Sequence, residues 1–218
     1  MAVFKTDGSP ESNARSVVSV SEEFLPMDSS LLISATFGDT TKAFIEWEPG
    51  ESESINYYVS DLTLDNWLIE SAPFSEEHQA FIDYTIENLD PLIDLDFEES
   101  NSIIGADIIF ISTERNFWFS DGDLGYAKDL ERWDKWLVLC NDTTGDVSND
   151  LNTIVHEFGH SIGLSHPGEQ PRNPKFNTVE YTVMSYLPLE DQFGYVFTSN
   201  DIDALQQIWG AENDISFG

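Results

Sequence analysis

Eleven consecutive residues constrain this chain more than any others: His156-Glu157-Phe158-Gly159-His160-Ser161-Ile162-Gly163-Leu164-Ser165-His166, which fit H-E-x-x-H-x-x-G-x-x-H at every position. On a helix, His156 and His160 stand four residues apart and project from one face, so both imidazoles can meet a single metal ion at about 2.0–2.1 Å. Gly163 can take a left-handed conformation that ends the helix and bends the chain back, delivering His166 as a third ligand from outside it. Three protein ligands leave a fourth position open, which is the arrangement of a catalytic zinc site and not of a closed structural one. Glu157 sits beside the metal, where it can take a proton from a water that the metal polarises. With average residue usage, the five fixed positions coincide by chance on the order of once in a hundred thousand chains of this length. Three of the four histidines in the chain fall inside the motif.

The flanking residues fit the same helix. Asn149 or Asp150 can cap it, and Leu151, Ile154, Val155, Phe158 and Ile162 fall on one face with His156 and His160 on the other. Such a helix buries its apolar face in the body and offers the histidines to a cleft. Pro167 and Gly168 break regularity after the third histidine, and Thr182-Val183-Met184-Ser185-Tyr186 follows. Thr198 to Asp201 can cap a final helix whose Ile202, Leu205, Ile208 and Trp209 form an apolar stripe ending at Gly210.

Upstream, the pattern alternates between strands and one long helix. Leu31–Ile33 and Ala43–Trp47 read as strands flanking the turn residues Gly38-Asp39, and Ile55–Val59 as a further strand. Ser75 can cap a helix carrying Phe81, Ile82, Ile86 and Leu89 at helical spacing. His78 in that helix reads as a partly exposed residue rather than a ligand. Leu92–Phe97 and Ala106–Ile111 read as strands, the second so continuously apolar that it suits a sheet covered on both faces. Trp136–Cys140 is the last strand before the motif, with Cys140 a small core residue. A strand, a long helix and further strands predict an α+β fold with a mixed sheet and a crossover helix. In the intervening loop, Asp121-Gly122-Asp123-Leu124-Gly125 has the glycines and oxygens a Ca2+ ion would want, though an acidic turn has the same composition.

The 218 residues suit one domain, or one divided by a cleft. Nine basic residues against 41 acidic ones give a formal charge of −32. Such a surface repels phosphates and anionic headgroups, so nucleic acid and membrane are set aside as partners, and a monomer is expected. One cysteine rules out an intrachain disulfide. Residues 1–20 lack the apolar core of a secretory signal, and residues 1–50 read as an N-terminal lead or pro-segment with extra strands, leaving 51–218 as the main domain.

The motif, followed by Met184 eighteen positions after His166, resembles the metzincin clan of zinc endopeptidases. Within it, His166-Pro167-Gly168, Met184-Ser185-Tyr186 and Asp201–Gly210 are similar to the serralysin-type catalytic domain. Astacins share the turn tyrosine but rely on disulfides, and matrixins usually lack the tyrosine. The resemblance implies a twisted mixed sheet with two long helices in an upper subdomain to about residue 166, a lower subdomain over 167–218 with a methionine turn and final helix, and a substrate cleft between them. It further implies that Tyr186 is a displaceable zinc ligand that turns to the developing oxyanion, that Met184 packs under the histidines, and that Gly125-Tyr126-Ala127 is an edge strand aligning an extended peptide. Zinc as cofactor, a protein or peptide substrate and an extracellular location follow from the same likeness. Serralysins usually carry a C-terminal calcium-binding β-roll, whereas this chain reaches Gly218 directly after the last helix, so a catalytic domain without the roll is expected. The alternative to a peptidase is a binding domain that keeps the fold without turnover, or a zinc hydrolase acting on something other than peptides.

Overall fold

The apolar run at the centre of the chain becomes the strand around which the sheet is laid. In the computed structural model, which describes residues 26–45, 54–65, 69–116, 119, 123–141, 144–167, 178–188 and 194–212, Ile108–Asn116 forms β5. It follows β1 (Ser54–Val59), β2 (Leu64–Asp65), β3 (Ile69–Ala72) and β4 (Asp96–Glu99) in the chain. It precedes β6 (Gly125–Leu130) and β7 (Lys135–Cys140). The helices are α1 (Ala35–Phe44), α2 (Glu76–Leu89), α3 (Val147–Ser161) and α4 (Ser199–Trp209), with short 3-10 turns at Ser29–Leu32 and Asp90–Leu92.

Residues of β5 alternate between two cores: Ile108 and Phe110 join the large cluster formed with the helices, while Ile109 and Ile111 join a smaller cluster with Ile69, Ala106, Leu137 and Leu139. Burial on both faces is why four apolar residues run together there without polar alternation. Strand β5 lies parallel to β1 and to β7, and its outer half pairs antiparallel with β3. Strand β1 also pairs parallel with β4, and β6 pairs antiparallel with β7. The result is the expected α+β fold, among the described residues a mixed seven-stranded sheet with four helices. Among the described residues β6 has β7 as its one strand partner, so it is an edge.

Leu31–Ile33 and Ala43–Ile45 are not strands: Ser29–Leu32 is a 3-10 turn, and α1 begins where the Ser34 hydroxyl accepts from the Phe37 N–H. Local propensity is weak in a segment containing Gly38 and three threonines, and long-range contacts choose the helix. The Thr41 hydroxyl donates to the Ser161 carbonyl at 2.7 Å and accepts from the Trp136 indole at 3.0 Å, pinning α1 against α3 and β7. The remainder of the expected strand, Glu46 and Trp47, lies outside the described residues. The strand expected at Leu92–Phe97 starts at Asp96, because Pro91 continues the end of α2 into a 3-10 turn. The loop expected after the strand ending at Ile111 is still strand as far as Asn116. Buried His78 is not a partly exposed helix residue: it lies one turn before Phe81 and Ile82 on the face of α2 that meets the core.

Two helix ends behave as their sequences predict. Ser75 caps α2 by accepting from the His78 N–H, with Glu76 and Glu77 in the first turn. Thr198 and Asp201 form a reciprocal capping box at α4, which Gly210 ends with φ of 105°.

Candidate metal centre

Helix α3 starts earlier than Asn149, at Val147, because the Asp146 carboxylate accepts from the Ser148 and Asn149 N–H groups. From Asp150 onward it is buried on every side, its apolar residues against the sheet and its histidines against the turn around Met184. Gly159 makes that second contact possible: a Cβ there would lie 2.8 Å from the Met184 sulfur. Gly159 occupies a free position of the H-E-x-x-H motif, yet a glycine inside a helix costs about 1 kcal/mol and so signals a close neighbour. Met184 is fully buried.

The helix stops at Gly163, whose φ of 112° is closed to most side chains, and where a Cβ would meet Ile208 at 2.9 Å. The chain then turns back through Leu164, whose N–H donates to the Gly159 carbonyl, and reaches His166. His156, His160 and His166 now offer one ligand atom each within 4.8 Å of one another. The His166 Nε2 is 3.1 Å from that of His156 and 3.2 Å from that of His160. Nitrogens bound tetrahedrally at about 2.0–2.1 Å would stand about 3.3–3.4 Å apart, so the cluster needs almost no adjustment to hold zinc.

The outer nitrogens explain this orientation. His156 Nδ1 lies 3.1 Å from the Val183 carbonyl and His160 Nδ1 lies 2.8 Å from the Leu164 carbonyl. Each carbonyl can only accept, so each Nδ1 carries the proton and each Nε2 turns a bare lone pair inward. One proton on His166 Nε2 cannot serve both neighbours, and a cation satisfies all three lone pairs. Burial, together with the proximity of the other rings, drives the His156 pKa well below the ordinary histidine value. Burial likewise lowers His160 to about 4 and His166 to about 3, keeping the ligands neutral as a metal requires.

Glu157 lines a cleft of about 210 Å³ together with Asp123, Asn152, His156 and Tyr186. Burial raises its pKa to about 8, opposed by the Ala127 N–H that donates to its carboxylate. Gly125, at the start of β6, runs so close that a Cβ would stand 2.6 Å from Glu157 Cγ and Oε1. The Tyr126 side chain is exposed. Tyr186 is 47% exposed, its ring centroid 4.4 Å from that of His166 and its hydroxyl 3.5 Å from His166 Nδ1. Of the Ca2+-like loop, Asp121 and Gly122 lie outside the described residues. The sequence pattern does not single out Asn152, whose amide donates to the Gly194 carbonyl and lies 3.5 Å from the Val183 carbonyl; its place four residues before His156, on the histidine face of α3, is the available signal.

Fold and site together define an α+β protein with a three-histidine cluster that could hold a metal beside a cleft. No family model matches the chain. It is 25% identical over 197 residues to a serralysin of Photorhabdus sp. (strain Az29), covering 76% of this chain and 40% of that protein. It is 33% identical over 114 residues to a serralysin of Proteus mirabilis, covering 43% of this chain and 23% of that protein. With metalloprotease AprA of Pseudomonas entomophila (strain L48) the identity is 29% over 129 residues, covering 44% and 26%. The chain is therefore serralysin-like, and it spans about two fifths of the length of the first of these relatives. No helix among the described residues is long and apolar enough to cross a membrane.

Proposed function

We propose that the protein is a zinc-dependent endopeptidase. The observation that carries this is the convergence of three imidazoles, each with its Nε2 turned inward, beside a cleft that is also lined by the Glu157 carboxyl group. His156, His160 and His166 would hold the ion. Zinc bound there would supply Lewis-acid polarisation of a water and of the scissile carbonyl. With a bound cation beside it favouring the ionised form, Glu157 would take the proton of the attacking water and later pass it to the leaving amine, and the Ala127 N–H keeps its carboxylate aimed at the cleft. The Tyr186 hydroxyl, 3.5 Å from His166 Nδ1, would be a displaceable ligand and would donate to the developing oxyanion. Met184 is the apolar floor of the cluster, and Gly163 the turn that delivers His166.

An extended peptide fits the backbone edge offered by Gly125, Tyr126 and Ala127, adding a strand antiparallel or parallel to β6 and laying its scissile bond beside Glu157. The cleft would separate an upper part, to about residue 166, from a lower part after it. A place outside the cell accords with the serralysin relatives, and the high net charge favours a monomer.

The test measures zinc content and cleavage of an unfolded protein, with and without chelator, alongside Glu157→Ala. One equivalent of zinc with chelator-sensitive cleavage that Glu157→Ala abolishes is the expected result. Zinc bound at one equivalent without such cleavage would leave a non-catalytic binding domain.

A further inference from the structure

Asp201 is fully buried in the first turn of α4. One half of its environment is a helix cap: its Oδ2 accepts from the Thr198 N–H at 2.8 Å, and its own N–H donates to the Thr198 hydroxyl at 3.3 Å. A cap alone needs only those bonds and works as well at the surface. The other half reaches across to the segment before Met184. There Asp201 Oδ2 accepts from the Val183 N–H at 3.0 Å, and its Oδ1 accepts from the Thr182 hydroxyl. That hydroxyl in turn accepts from the Met184 N–H at 3.0 Å. The N–H of the Val183–Met184 peptide unit is thus held by Thr182, and its carbonyl faces His156 Nδ1 at 3.1 Å.

We infer that Asp201 is a positioning residue for the metal ligand His156, acting through the Thr182 hydroxyl and the Val183–Met184 peptide; this rests on the zinc reading above. The planarity of the peptide makes the relay work: with its N–H fixed, its carbonyl cannot rotate away from His156. The carbonyl holds the proton on Nδ1 and so leaves Nε2 bare and aimed at the other two imidazoles. A carboxylate is the group for the far end because it accepts three bonds at once in a dry site, each strengthened by its charge.

Zinc affinity reads this directly. Loss of a group bonded to a metal ligand costs about 10–100-fold in affinity, and Asp201→Ala and Thr182→Val, acting one link further out, are expected to weaken zinc about tenfold. Affinity is measured by competition with a chromophoric chelator, and folding by circular dichroism. Thr182→Ser keeps the hydroxyl and should stay within about twofold of the parent. Thr198→Ala, which removes the α4 cap but leaves the relay, should lower the melting temperature while leaving zinc affinity within the same range. Folded Asp201→Ala and Thr182→Val proteins that bind zinc like the parent overturn the inference. So does a Thr198→Ala protein that loses as much affinity as Thr182→Val. If Asp201→Ala does not fold, the Thr182→Val and Thr182→Ser pair decides. A parent protein that binds zinc and cleaves nothing overturns the peptidase reading and leaves this inference standing; a parent that binds no zinc overturns the site reading itself.

Discussion

Gly125→Ala tests the catalytic geometry without touching a metal ligand. The added methyl would stand 2.6 Å from Glu157 Cγ and Oε1 and 2.7 Å from Thr153 Cγ2. Carbon atoms in contact prefer about 3.5–4.0 Å, so the intrusion is about 1 Å on two residues of α3. The backbone of α3 cannot retreat, because Ile154, Val155 and Phe158 are packed into the core behind it. The Glu157 side chain therefore gives way, swinging off the Ala127 N–H. A misplacement of about 1 Å at a reacting group costs about 100-fold in rate. Overpacking of this kind costs about 1–3 kcal/mol, or roughly 2–12 °C in melting temperature at about 2–4 °C per kcal/mol. Initial rates on an unfolded protein substrate, together with zinc content, give both readouts. The expected variant is folded, carries one equivalent of zinc and has kcat lowered about 100-fold. A folded, zinc-loaded Gly125→Ala protein within threefold of parental activity would refute the reasoning that Glu157 must occupy that space. A variant stripped of zinc would refute the separation of base from ligands.

Tyr186→Phe should lower kcat about 100-fold, the scale for losing one oxyanion donor, with zinc affinity little changed because the three imidazoles remain; an unchanged kcat removes the tyrosine from the mechanism. Gly163→Ala adds backbone strain at φ of 112° to a contact 2.9 Å from Ile208, for a loss of about 2–6 kcal/mol read from the urea midpoint. A loss under about 1 kcal/mol would contradict the turn geometry. In chelator, stability should fall as pH drops from about 6.5 towards 4. Unfolded histidines take up protons there that His156, His160 and His166 refuse in the fold. Glu157 works the other way, since its raised pKa means stability present below its unfolded value and lost as pH rises through about 8. Three histidines outweigh one carboxyl group, so a net loss of a few kcal/mol between pH 7 and 5 is expected in thermal melts of the metal-free protein. Melts that improve over that interval would show that the imidazoles are not buried.

Local chemistry by itself determined the parts of this protein that repeat over a few residues. The capped start of α2, the capping box and glycine stop of α4, and the doubly buried strand β5 are written as short-range patterns, because each depends on a hydrogen bond or side-chain period within one or two turns. The three candidate ligands and Glu157 are legible for the same reason: a helix fixes the spacing of His156 and His160, and glycine permits the turn to His166.

Tertiary structure decided what depends on residues far apart in the chain. Residues 35–44 became a helix and not part of a hairpin because Ser161 and Trp136, about 100 residues away, use the Thr41 hydroxyl. Gly125 and Gly159 proved to be points of close approach, to Glu157 and to Met184, which no local pattern announces. The tautomer of His156 rests on a carbonyl 27 residues on, held in turn from α4. A sequence motif specifies which atoms can bind a metal, whereas their orientation is fixed by hydrogen bonds from other elements, and those exist only once the chain has folded.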